Sequence, residues 1–100
     1  LLEWLFAVAR ELVGLGVDMI SITGNLCGFG ADRKDSAYFA PYAERIKGSV
    51  GSSALVECTG GIKDPQTAEK LLRDGVCDLV GVGRLMLRDP GFVARWKESY

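Results

Sequence analysis

The stretch from Cys58 to Pro90 holds the residues with the clearest chemistry. It reads Cys-Thr-Gly-Gly-Ile-Lys-Asp-Pro, then an amphipathic run, then Asp-Leu-Val-Gly-Val-Gly-Arg and a second Asp-Pro. Two apolar segments, 54–59 and 78–82, each run into glycine, at Gly60-Gly61 and at Gly83 before Arg84. Glycine at a strand end leaves the backbone N–H groups open to an anion, because no Cβ stands in the way. The partial positive charge at the start of a following helix adds to that attraction. If the two segments are adjacent parallel strands, both glycine ends converge on one phosphate. The donors would be the backbone N–H groups of Gly60, Gly61, Gly83 and Arg84, and the Arg84 guanidinium could add a charge-assisted bond. The plainer alternatives are glycines that only end strands and an arginine in a helix-surface ion pair. Two glycine ends at matched positions favour the anion site.

Composition narrows the function classes. The 100 residues are 48% apolar and 25% charged, as in a folded domain or part of one. A net charge of −1 gives no field for nucleic acid or an anionic membrane. No apolar run approaches the roughly 18 residues of a membrane span, and no secretory signal pattern opens the chain. The three cysteines, Cys27, Cys58 and Cys77, form no CxxC pair and read as reduced thiols of a cytoplasmic protein. Histidine is absent. Imidazole chemistry is thereby excluded from this stretch, and no metal site is expected.

The two glycine ends meet only if the strands before them are neighbours, and the remaining elements bear on that. Leu1, Leu5, Val8 and Leu12 recur at helical spacing, with Leu2, Ala9 and Val13 widening the stripe. They predict a helix over 1–14, stopped by Gly14 and Gly16. Asp18 leads into Met-Ile-Ser-Ile-Thr, which predicts a buried strand over 19–23. Residues 25–40 form a long loop with a charged cluster from Asp32 to Asp35 and the aromatics Phe29, Tyr38 and Phe39. Such a loop is either functional or a surface excursion, and both readings stand. Pro41 suits a first helical position, giving a short helix over 42–47 and a turn over 48–53.

The second strand is expected over 54–59. Asp64 and Pro65 supply the cap and first residue of a helix over 65–74, with Ala68, Leu71 and Leu72 buried and Gly75 as its stop. The third strand is expected over 78–82, followed by a short helical turn. Asp89-Pro90 repeats the cap-plus-proline start for a last helix over 91–98.

Residues 11–24 and 70–83 share one order: helix end, glycine, aspartate, buried strand and terminal glycine, with one extra residue at Cys77. Repetition of this kind marks βα units, and right-handed crossovers build them into a parallel sheet with its helices on one side. Three strands are too few for a barrel of about eight strands and roughly 250 residues. Both edges of so small a sheet would stand open. The expected fold class is α/β, the C-terminal portion, about strands six to eight, of a (β/α)8 TIM barrel. Residues 1–100 would then be a partial barrel domain, and the absence of an initiator Met at Leu1 is read the same way.

Gly-Gly-Ile, Ala-Glu-Lys-Leu-Leu, Gly-Val-Cys-Asp-Leu-Val-Gly-Val-Gly-Arg and Leu-Arg-Asp-Pro-Gly-Phe resemble the C-terminal part of the old yellow enzyme family. These are NADH:flavin oxidoreductases, FMN enzymes on a (β/α)8 barrel. The resemblance covers nearly the whole chain and is most specific from Gly60 to Pro90. It implies that Gly60, Gly61, Gly83 and Arg84 hold the FMN phosphate, with NAD(P)H as reductant and an activated alkene or related small molecule as substrate. It also puts the loop after the first strand beside the substrate pocket, which makes Phe29, Tyr38 and Phe39 candidate pocket residues. The family's substrate-binding His/His or His/Asn pair and its tyrosine proton donor have no counterpart here and are expected upstream of Leu1. No catalytic residue is named in this chain, and the isolated 100 residues are expected to be inactive. Cys27 and Cys58 stand as flavin neighbours or, more plainly, as small buried apolar residues.

Two other classes compete. Another phosphate-binding barrel enzyme is one, either a dihydrouridine synthase or a biosynthetic lyase. The synthase would present basic surface to RNA, against which 12 basic and 13 acidic residues argue. The other is a non-catalytic half-barrel that pairs with a second copy, a homo-oligomer completing its own sheet. The expected partners are thus a small-molecule substrate and further copies of the chain, without nucleic acid or membrane.

Overall fold

In the computed structural model, which describes residues 3–23 and 39–98, three strands lie side by side: β1 (Met19–Ile22), β2 (Leu55–Thr59) and β3 (Leu79–Gly81). Both pairings are parallel and the spatial order is β1-β2-β3. The register sets Ser21 beside Glu57 and Glu57 beside Leu79. The helices are α1 (Glu3–Gly14), α2 (Ala40–Val50), α3 (Pro65–Arg73), α4 (Arg84–Arg88) and α5 (Phe92–Glu98). Strand order and direction agree with the βα repetition read from the sequence.

The repetition extends to the helix ends. Gly16 and Gly75 take φ of 106° and 71°, a conformation open to glycine without strain. Around each, the same two bonds form. Gly16 N–H donates to Val13 O and Val17 N–H to Leu12 O, as Gly75 does to Leu72 and Val76 to Leu71. This is the Schellman ending, which satisfies the last helical carbonyls. Gly14 lies within α1, so Gly16 is the stop. At the start of α3, Asp64 caps as expected: its carboxylate accepts Thr67 N–H at 2.7 Å and Thr67 Oγ1 at 3.0 Å.

One buried cluster joins Phe6 and Ala9 of α1, Ala43, Ile46 and Val50 of α2 and Leu71 of α3 to Val56 and Cys58 of β2. Ile20, Ile22, Val80 and Val82 pack on it from the flanking strands. Alternate strand residues therefore face α1, α2 and α3 on one side of the sheet.

Several boundaries and faces differ from expectation. Helix α2 spans Ala40–Val50 where a short helix over 42–47 and a turn were expected. Burial of Ile46 and Val50 on one face carries the helix through Gly48, and Gly51 at φ 60° ends it. Only Gly51–Ser53 remain as a 3-10 turn. In α1 the buried residues are Phe6 and Ala9, while Val8 and Leu12 of the expected stripe are exposed. In α3, Leu71 is buried but Leu72 is exposed. Helix α5 begins at Phe92; Asp89 accepts Phe92 N–H through its carbonyl and turns its carboxylate to Arg95.

Candidate functional site

Parallel pairing brings the two glycine ends to the same end of the sheet. The β2–β3 register closes at Thr59 beside Gly81. The next residues are Gly60-Gly61 after one strand and Val82-Gly83-Arg84 after the other, so the four expected donors follow the ends of neighbouring strands. Gly60 and Gly61 take φ of 126° and 71°, where any L side chain would be strained. Buried Ile62 anchors this turn in the core before α3 begins.

Gly83 differs. Its φ is −109°, open to any residue, and a Cβ built there meets nothing within 4 Å. Among the described residues nothing therefore requires glycine at this position, and the space above it is open. Gly83 is also the N-cap of α4, whose first residue, Arg84, is exposed. An open cradle of this kind, beside two backbone-strained glycines, suits a phosphate group approaching the main chain.

Below the glycines, Gly81 packs directly against Thr59. A Cβ at Gly81 would lie 2.1 Å from Thr59 Oγ1. Here glycine is required by its neighbour, a reason that the bare Val-Gly-Val pattern does not disclose.

Of the aromatic candidates, Phe29 and Tyr38 lie outside the described residues, as does Cys27. Phe39 stands at the N-terminus of α2, partly buried against the core, with its ring 6.1 Å from that of Tyr42. Because α2 follows the loop after β1, Phe39 enters at the glycine end of the sheet. Cys58 is fully buried on the side facing the helices. Burial pushes its thiol up to about 11, with Cys77 adding to the shift, and burial raises the Cys77 thiol as well. Both are buried as small apolar residues, which for Cys58 is the plainer of the two readings given for it and Cys27. Among the described residues no group of three metal-ligating side chains is found, and no helix is long and apolar enough to cross a membrane.

No protein-family model matches the chain. Its curated relatives are more informative. Over 94 residues it is 36% identical to a bilirubin reductase of Mediterraneibacter gnavus, covering 87% of this chain and 14% of that protein. Over 93 residues it is 42% identical to an NADH:flavin oxidoreductase of Gibberella zeae, covering 86% of this chain and 21% of that protein. Over 84 residues it is 31% identical to an NADPH dehydrogenase of a Geobacillus species, covering 82% of this chain and 24% of that protein. The chain thus spans at most about a quarter of the length of these relatives.

Proposed function

From its similarity to segments of these oxidoreductases, which bears out the resemblance to the old yellow enzyme family read over nearly the whole chain, we propose that the chain is the FMN-phosphate-binding portion of an NAD(P)H oxidoreductase built on a (β/α)8 barrel. The observation that carries this reading is the pair of glycine ends on adjacent parallel strands, Gly60-Gly61 after β2 and Gly83-Arg84 after β3. Strand C-termini at one face of such a barrel form its active end, and the last two strands hold phosphate there. The flavin, when bound, supplies hydride transfer between the nicotinamide and an acceptor. Backbone N–H groups of Gly60, Gly61, Gly83 and Arg84 would hold the phosphate, and the Arg84 side chain would add charge. Phe39, Tyr38 and Phe29 are the candidates from this chain for lining the substrate pocket. Without histidine, the isolated chain should show no NAD(P)H-dependent alkene reduction above free FMN.

Gly83→Val is the discriminating variant, because a Cβ built at Gly83 meets nothing within 4 Å and its φ is open to any residue. In the full-length protein it should weaken FMN strongly in a flavin-fluorescence titration and leave riboflavin, which lacks the phosphate, nearly unchanged. Equal weakening of both flavins would place the phosphate elsewhere.

A further inference from the structure

Thr59 and Gly81 are the last residues of β2 and β3 and stand in register. The candidate anion site follows at once: Gly60 and Gly61 come next after Thr59, and Gly83 comes two residues after Gly81. Across this pair one side chain serves both strands. A Cβ at Gly81 would lie 2.1 Å from Thr59 Oγ1, 3.1 Å from its Cβ and 3.3 Å from its Cγ2, so Thr59 occupies the place of a β3 side chain. A Cβ at Gly83 meets nothing within 4 Å. The crowding is therefore confined to the foot of the site. The segment around Thr59 is pinned on both sides, by Cys58 at 0% exposure and Ile62 at 4%, with Gly60 and Gly61 at positive φ between them.

We propose that Thr59 and Gly81 are positioning residues for the phosphate: Thr59, seated over bare backbone at Gly81, sets where the Gly60-Gly61 turn stands relative to Gly83. The inference rests on the reading above, in which these glycine ends hold the FMN phosphate. A side chain at Gly81 must push Thr59 away. Turning the hydroxyl aside does not clear it, because the Thr59 Cβ itself stays at 3.1 Å and a β-branched residue is stiff at χ1. With Cys58 and Ile62 held in the core, the displacement passes into the two glycines between them, which have the backbone freedom to take it up. Their N–H groups then turn from the anion. Hydrogen bonds are directional, and one lost bond to a charged group is worth roughly tenfold to a hundredfold in affinity. Truncating Thr59 acts in the other direction, leaving a gap over Gly81 into which the turn relaxes.

The test measures FMN and riboflavin affinity in the full-length protein and takes their ratio, which reports the phosphate alone. Gly81→Ala should lower the preference for FMN roughly tenfold or more, and Thr59→Ala in the same chain should return most of it. A merely structural role would lower the melting temperature and weaken both flavins equally, so a Gly81→Ala protein with the wild-type preference overturns the inference. So does a double variant no better than Gly81→Ala, since Gly81 would then act without Thr59. If Gly81→Ala does not fold, Thr59→Ala decides: a reduced preference for FMN supports the positioning role, and the wild-type preference overturns it. The two proposals fail apart. A wild type that prefers FMN, with variants that keep that preference, defeats only this inference. A wild type that binds both flavins alike defeats the phosphate reading on which it rests.

Discussion

Asp78 and Lys47 meet at 2.6 Å, and the same Asp78 carboxylate oxygen accepts Val56 N–H at 2.9 Å. One side chain, just before β3, thus ties the strand to α2 and to β2. Lys47 also donates to Ala54 O at 3.4 Å, fixing the entry to β2. These contacts lie at the end of the sheet opposite the glycines, where a parallel α/β array puts its stabilising interactions.

The bond from Lys47, then that from Val56, hold the Asp78 carboxyl below its ordinary range. The folded state therefore binds its proton less readily than the unfolded one. The stabilisation is complete above the unfolded carboxylate range and is lost as the pH falls through the lower folded value. Asp78→Ala should cost roughly 1–3 kcal/mol at neutral pH, and the deficit should shrink in acid. Denaturant titration of the full-length protein at the two pH values measures it, and an equal deficit at both would mean that packing, not pairing, is responsible.

Gly81→Ala should destabilise by roughly 1–3 kcal/mol through overpacking, since the added Cβ falls 2.1 Å from Thr59 Oγ1. Thr59→Ala in the same chain removes that atom and should restore most of the loss. A double-mutant cycle checks the coupling. Additive effects would mean that Gly81 is needed for some reason other than Thr59.

The buried thiols give the opposite pH dependence. Cys58 and Cys77 keep their protons in the folded state above the pH at which unfolded thiols lose them. Their contribution to stability is full below the ordinary thiol range and falls as the pH rises through it. The wild type should be more stable than Cys58→Ala at neutral pH, with the gap narrowing above about pH 8.5. In the native protein a maleimide should label Cys58 only as fast as the chain unfolds.

Arg84→Ala should weaken FMN less than Gly83→Val, by roughly 1–3 kcal/mol for one charge-assisted bond. The backbone donors remain in the variant. Riboflavin affinity should not change, and a matching loss for riboflavin would assign Arg84 a structural role.

Short-range chemistry made much of this architecture legible in the residues alone. The glycine-aspartate-strand-glycine order repeated in two sections implied parallel neighbours, and β1, β2 and β3 pair in that order. Gly16, Gly75 and Asp64-Pro65 act through atoms a few residues away, so their helix ends and start follow from local geometry. Tertiary packing decided the rest. The apolar residues of α1 surround so much of the helix that periodicity alone could not choose Phe6 and Ala9 over Val8 and Leu12; contact with α2 chose them, with Arg45 set 4.2 Å over the Phe6 ring. Gly48 reads as a turn until Ile46 and Val50 are seen buried on one face. Nothing in Val-Glu-Cys-Thr says that Cys58 faces the helices or that Glu57 faces Ser21, because strand alternation gives two faces without saying which is covered. That choice belongs to the elements packed against the sheet, whose contacts lie tens of residues away along the chain.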